Sequence, residues 1–351
     1  MNIKAPLNTL LGYGSVSLNI IKALYNLGEP LSLFPMGQPR LTTYDNELIQ
    51  DLVNERFDKF NINDSSLTIF HEFALFDALQ SKKEAIGFPF FEIDELDLPR
   101  IKSMGCVDKL FITSKWGEEV VKQSGVNTPI DIVPLGVDNS IFFPQPKKDG
   151  PYKFFTIGKI ERRKCTDLLP ALLDNAFDRD DKVELHVMCD SILPEIKEQM
   201  PYFRKAFANS PLGDKIFIHS IKQTDYDLAA FINEMDCGIF LTRAEGWGLP
   251  ILQTMACNKP VITTDYSAHT EFCNNENALL VNITEKEPAI DNIWFHGQGN
   301  WARIDEPQIE QCVEHMRAAF NSKFTNSEGL ETAKKFTWEN TAKRIIECKS
   351  T

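Results

Sequence analysis

The segment RAEGWGLPILQTMACNKPVITTD, residues 243–265, places one carboxylate, Glu245, directly before Gly246, Trp247 and Gly248. The two glycines free the backbone, and Leu249-Pro250 suits the first turn of a helix. Backbone amides at such a helix start favour an anion. Glu245, at the rim, has two oxygens that can accept from hydroxyls such as those of a sugar. Gln253 follows in the first turns of the same helix, and SAHTE at 267–271 adds Ser267, His269, Thr270 and Glu271 after the next strand. A second cluster is FTIGKIERRKC, residues 155–165, where a strand ends at Gly158 and a turn carries Lys159, Arg162, Arg163 and Lys164. Thr166 or Asp167 can cap the helix that follows. Cations at the carboxyl end of a strand, beside a helix start, suit a pyrophosphate; a solvated basic loop is the other reading. In GYGSVS, residues 12–17, Gly12 and Gly14 precede a helix pattern and fit either an anion site or a plain tight turn. A dinucleotide fingerprint would also need an acidic residue after the next strand, and PMGQPR has none, which argues against a nicotinamide enzyme.

These clusters need strands and helices to hold them. Short apolar runs alternate with helix-period segments throughout, the pattern of parallel α/β architecture. Strands are expected at 31–34, 67–73, 85–91, 109–114, 130–135, 153–158, 184–189, 215–220, 237–242 and 260–264. Helices are expected at 15–27, 116–124, 166–175 and 225–234, with a terminal helix in FTWENTAKRIIECKS. QPKKDGP interrupts the pattern and reads as a linker near 143–152. The expected division is two α/β domains, over 1–146 and 147–330, followed by a C-terminal helix over 331–351.

With these parts in order, EGWGLPILQTMACNKPVITT resembles the donor-site signature of family-4 glycosyltransferases, retaining enzymes of the GT-B fold. That family typically shows Glu-Gly-Phe-Gly-Leu-Pro, a second Glu eight residues after the first, then Met-Ala and a Pro-Val-Ile strand. GKIERRKC is similar to its pyrophosphate turn, VPLGVDNSIFFP to its approach to the interdomain linker, and FTWENTAKRI to its returning C-terminal segment. GFPFFEIDELDLP and VDKLFITSKW resemble a subgroup in which an aromatic-rich strand ends in a Glu. The resemblance spans nearly the whole chain, strongest in the second domain and weaker before residue 60.

The resemblance implies an α/β GT-B fold, with an N-terminal Rossmann-like acceptor domain (1–146) and a C-terminal Rossmann-like donor domain (147–330) facing across a crevice and the C-terminal helix (331–351) packing back on the first domain. It also implies transfer of a hexosyl or pentosyl group from a UDP- or GDP-linked sugar with retention. Glu245 would hold hydroxyls of the transferred sugar. Amides around Gly246, Trp247, Gly248 and Leu249 would support the sugar and pyrophosphate, and Lys164 would neutralise the leaving group. Lys159 stands where the family usually has Arg, so a forked contact becomes a point charge for which Arg163 can compensate. Gln253 replaces the second Glu and loses its charge-assisted bonds to the ribose. In the first domain His71, with Glu92 in FPFFEID, would face the sugar or orient the acceptor; Glu72 is a weaker candidate. A His in an apolar strand also has a purely structural reading, whereas a carboxylate after FPFF is odd for a core. No metal and no cofactor beyond the nucleotide-sugar donor is implied. The acceptor is a glycan or glycolipid, or a hydroxymethylated DNA base. A catalytically degenerate nucleotide-sugar binder is the competing reading, supported by Lys159 and Gln253.

Composition limits the alternatives. The chain has 351 residues, long enough for two domains with their own cores, and a net charge of −13, which argues against a protein that coats nucleic acid. A basic island at 147–164 opposes that total. The eight cysteines form no C-x-x-C pair, so reduced structural thiols in a cytoplasmic protein are expected. DRDD at 178–181 reads as a solvated loop, not a metal motif. No signal peptide and no membrane span is read from the sequence.

Overall fold

Runs rich in Val, Ile, Leu and Phe, too short for helices, become buried parallel strands. The computed structural model describes residues 1–41 and 43–349, the side chains at 43 and 44 excepted, so the last two residues of the expected terminal segment lie outside the described residues. The first sheet contains β1 (Asn2–Asn8), β2 (Ser32–Arg40), β3 (Ser66–His71), β4 (Ala85–Phe90), β5 (Lys109–Ile112) and β6 (Ile130–Ile132). Its order is β2-β1-β3-β4-β5-β6, every pair parallel. The second contains β7 (Tyr152–Ile157), β8 (Val183–Met188), β9 (Ile216–His219), β10 (Cys237–Phe240), β11 (Val261–Thr264) and β12 (Leu279–Val281). Its order is β12-β11-β10-β7-β8-β9, again parallel. Helices connect neighbouring strands, as parallel crossovers require. An antiparallel hairpin, β13 (Lys286–Ile290) with β14 (His296–Ala302), stands apart from both sheets.

All ten expected strands are present. β1, β12 and the hairpin are additional. The N-terminal helix spans Gly12–Asn26, and Gly14 is required there by packing: a Cβ would fall 2.0 Å from the Asn8 carbonyl oxygen. Thr224, Asp97, Ser114 and Thr337 cap their helices through side-chain bonds to backbone N–H groups. Each such cap is worth about 1 kcal/mol. The second sheet buries Phe154, Leu185, Val187 and Ile239 against Leu172, Leu173 and Met316 from its helices. Each such side chain contributes roughly 1.5–3 kcal/mol by leaving water.

The chain divides into two units, Val137–Lys335 and a discontinuous one made of Met1–Gly136 with the segment from Phe336 onward. The linker expected at 143–152 therefore lies inside the second unit. Asn233 explains this: its amide donates to the Phe143 carbonyl and accepts from the Gln145 N–H. Asp236 adds an ion pair to Lys147. At the other end, helix Ser327–Lys335 packs on helix Leu249–Ala256 of the second unit. The return to the first unit thus begins at Phe336 rather than at 331. Helix Trp338–Cys348 then packs on Gly12–Asn26. Gly136 allows the close crossing, since a Cβ would lie 2.2 Å from the Trp338 nitrogen.

Candidate active site

In an open parallel sheet, ligands bind beyond the strand carboxyl ends where the strand order reverses. In the second unit that point lies between β7 and β10. The loops leaving those two strands are 158–164 and 241–248, which hold both charged clusters of the sequence.

The loops interlock through a five-member ion network. Lys164 Nζ lies 2.6 Å from Glu245 Oε1, and Arg163 Nη1 lies 3.4 Å from Glu245 Oε2. Arg163 also donates to the Ala244 carbonyl at 2.6 Å and pairs with Glu161 at 3.0 Å. Glu161 in turn meets Lys159 at 2.6 Å. Thr242 Oγ1 donates to Glu245 Oε1 at 2.9 Å, and the Glu245 N–H donates to Ser267 Oγ at 2.8 Å. Glu245, Arg163 and Glu161 are all buried. Burial alone would raise the Glu245 pKa, but Lys164 and Arg163 overcome it and hold the carboxyl down at about 2. Glu161 is lowered too, with burial opposed by Arg163 and Lys159. Both carboxylates are therefore ionised inside the fold.

Gly248 precedes helix Leu249–Ala256 in the left-handed region at φ 94°, and a Cβ there would meet His269 Cβ at 3.2 Å. Only glycine fits both demands. His269 is fully buried, its Nε2 2.7 Å from the Thr264 carbonyl and 3.1 Å from Thr263 Oγ1, and burial lowers its pKa. It braces the turn as a neutral ring. Trp247 is buried against Phe272, so its ring anchors the loop while Gly246 and Leu249 flank the helix start. Gln253 is buried in the same helix.

The structure distinguishes Arg163 from Lys159, the two cations weighed at the pyrophosphate turn. Arg163 is a buried strut, whereas the Lys159 side chain retains 35% exposure. Arg162 turns outward to Glu287. Sequence reasoning missed Glu161, Thr242 and Arg243. Glu161 had a visible signal, since a lone acid among four cations is well placed to order them. Arg243 donates to Glu287 at 2.8 Å and to the Arg162 carbonyl at 2.7 Å.

In the first unit the order reverses between β1 and β3, and the residues beyond those strands again converge. Tyr13 Oη lies 2.9 Å from His71 Nδ1, and Phe73 stacks on the His71 ring at 4.9 Å and 17°. Tyr13 carried no sequence signal beyond its place between Gly12 and Gly14. Glu72 is buried and accepts from Arg100 Nε at 2.7 Å. Burial pushes its carboxyl up to about 7 against the pull of Arg100, and Glu92 adds to the rise. Glu92 itself is half-buried just past β4. Gly12 and Gly14 belong to this unit.

Two parallel Rossmann-like sheets with charged loops at their reversal points define the GT-B fold of glycosyltransferases, and solved structures agree. Sucrose-phosphate synthase from Thermosynechococcus elongatus superposes with a TM-score of 0.71 at 14% identity, over 99% of this chain and 97% of that one. Anabaena HepE, solved in complex with UDP-glucose, gives 0.70 at 12% identity over 99% and 98%. The lipopolysaccharide outer core galactosyltransferase WaaB gives 0.66 at 14% identity over 99% and 98%. Residues 151–293 match the family model for glycosyl transferases group 1. No curated protein sequence matches the chain. The match and the fold together support a transferase. Among the described residues, no helix is long and apolar enough to cross a membrane.

Proposed function

We propose that the protein is a retaining glycosyltransferase that moves a sugar from a nucleoside-diphosphate sugar, UDP-linked in the first instance, to an acceptor hydroxyl. The observation that carries this reading is the ionised Glu245, held by Lys164 and Arg163 at the reversal point of the second sheet. HepE, a relative in fold, was solved with UDP-glucose. Lys164 and Lys159 neutralise the diphosphate, and the helix start at Gly248 adds its amides. Glu245 accepts hydrogen bonds from the sugar hydroxyls. The bond from the anomeric carbon to the phosphate oxygen breaks, and the acceptor oxygen bonds to that carbon on the same face. The acceptor proton leaves with the phosphate oxygen. Gln253 holds the ribose with neutral hydrogen bonds, and no step needs a metal.

A saccharide acceptor is favoured over a DNA base. In the first unit Glu92 acts on the buried Glu72, and Asp94, Glu95 and Asp97 follow Glu92 along the chain. These acids outnumber Arg100, which pairs with Glu72 and Asp97, and disfavour a polyanion. Phe73 and Phe76 are exposed there.

The test is a thermal-shift panel of UDP- and GDP-sugars, followed by assay of nucleoside diphosphate release. One donor should raise the melting temperature, lose that effect in Glu245→Ala, and release its diphosphate only with a saccharide acceptor. Binding without release supports the degenerate binder instead. Faster turnover on hydroxymethylated DNA than on any saccharide rejects the acceptor assignment.

A further inference from the structure

The β13–β14 hairpin is bonded to both loops of the charged cluster. Glu287 accepts from Arg243 Nε at 2.8 Å and from Arg162 Nη2 at 3.2 Å. Arg162 Nη1 donates to the Ile290 carbonyl at 3.1 Å, and the Ala302 N–H donates to the Arg243 carbonyl at 2.9 Å. At the tip, Asp291 Oδ1 accepts from the N–H groups of Ile293, Trp294 and Phe295 at 2.8–2.9 Å. This turn fixes the Trp294 backbone. Its ring then lies 4.6 Å from the Lys159 ammonium, centroid to Nζ.

The hairpin treats the basic side chains differently. Arg162 and Arg243 share one carboxylate and are committed to it. Lys159 has an aromatic face on one side and Glu161 on another. A ring attracts an ammonium through its quadrupole but carries no net charge. It can therefore hold the cation in place without repelling an incoming diphosphate, which a second carboxylate would do. A lysine stem is flexible, and fixing it before binding removes an ordering cost from the binding step.

We propose that Trp294 is a positioning residue for donor binding: it holds the Lys159 ammonium ready for the diphosphate, with the β13–β14 hairpin as its mount. This rests on the transferase reading above.

The test uses the full chain with UDP as the binding probe, in calorimetry, and the active UDP-sugar in kinetics. Trp294→Ala should weaken UDP binding about fivefold to tenfold, the scale of a partly desolvated cation–π contact. The donor KM should rise by the same factor, with kcat changed less than twofold. Trp294→Phe should restore most of the affinity. Lys159→Ala combined with Trp294→Ala should bind UDP no worse than Lys159→Ala alone, because the ring acts through that lysine. An unchanged melting temperature in Trp294→Phe keeps the comparison valid if the alanine variant folds poorly. The proposal is overturned if wild type binds UDP and Trp294→Ala binds it equally, or if the two losses simply add. If wild type binds no nucleoside diphosphate, the donor reading itself fails, and this proposal with it.

Discussion

Lys164 Nζ and Glu245 Oε1 are 2.6 Å apart, so the cation assigned to the diphosphate and the carboxylate assigned to the sugar are partners of one another. Each must exchange that contact for part of the donor. The pair keeps both groups charged and in place until then, at some cost in affinity.

Removing either partner should expose this coupling. Glu245→Ala leaves Lys164 and the buried Arg163 facing each other, and loss of one partner from a buried pair costs about 3–5 kcal/mol. A clear fall in melting temperature, with transfer nearly abolished, is expected. Gln253→Ala should instead raise the donor dissociation constant while retaining most of kcat. Equal losses of turnover at unchanged donor affinity would reject that division of roles.

Acid should act on the two units with opposite signs. Glu245 has a folded pKa of about 2 against an ordinary 4.5. Its contribution, of order 3 kcal/mol, is present above pH 4.5 and is lost as pH falls toward 2. Glu72 has the reverse displacement, to about 7. Between pH 4.5 and 7 the unfolded chain holds fewer protons at this group, so stability falls as pH rises. Urea titrations across pH should show the second limb flatten in Glu72→Gln and the first in Glu245→Gln.

Gly14 separates packing from ligand binding. Gly14→Ala drives a methyl into the backbone of Asn8, which cannot swing aside as a side chain would, and should destabilise the first unit by roughly 3 kcal/mol or more. Gly12→Ala has open space around its Cβ and should be tolerated. If Gly12→Ala keeps its melting temperature but weakens donor binding, the anion reading of GYGSVS stands.

On the proposed reading chelation should leave transfer unaltered, because Lys164 and Lys159 would do the work that a metal would share. A rate in excess EDTA matching the untreated rate is the expected result. Restoration of a lost rate by added Mg²⁺ would reject it.

Thiol chemistry offers a check on the fold. Cys106 is exposed, while Cys165, Cys189, Cys237, Cys257, Cys273, Cys312 and Cys348 are buried. Burial pushes Cys165, Cys189, Cys257 and Cys312 up to about 12, where thiolate is scarce at neutral pH. About one thiol per chain should react quickly in the native protein, and the rest only on unfolding.

The central strands were legible because burial on both faces leaves a continuous apolar run, as in KFFTIG or PVITT. β1 was missed because NIKAPLN mixes Lys, Asn and Pro into a strand whose backbone still pairs on both sides. The hairpin was missed because KEPAI and HGQGNWA lack alternation and carry Pro and Gly. QPKKDGP looked like a linker by composition, yet Asn233 and Asp236, some ninety residues away, decide which unit holds it. Residue types marked Glu245 and Lys164 as important. Their mutual contact, and the bracing by Thr242, Ser267 and Glu161, depends on how two distant loops meet.

Asn139 Nδ2 donates to the Ala333 carbonyl at 3.1 Å, so the two ends of the second unit lie side by side. This has a bearing on the order of folding. The first unit is built from both ends of the chain, and joining its pieces around an unfolded insert of roughly 200 residues would cost about 5 kcal/mol in closure entropy. Once the insert has folded, its neighbouring ends hand Gly136 and Phe336 to each other as a short tether. The contiguous unit should therefore form first and act as the template on which helix Trp338–Cys348 finds Gly12–Asn26.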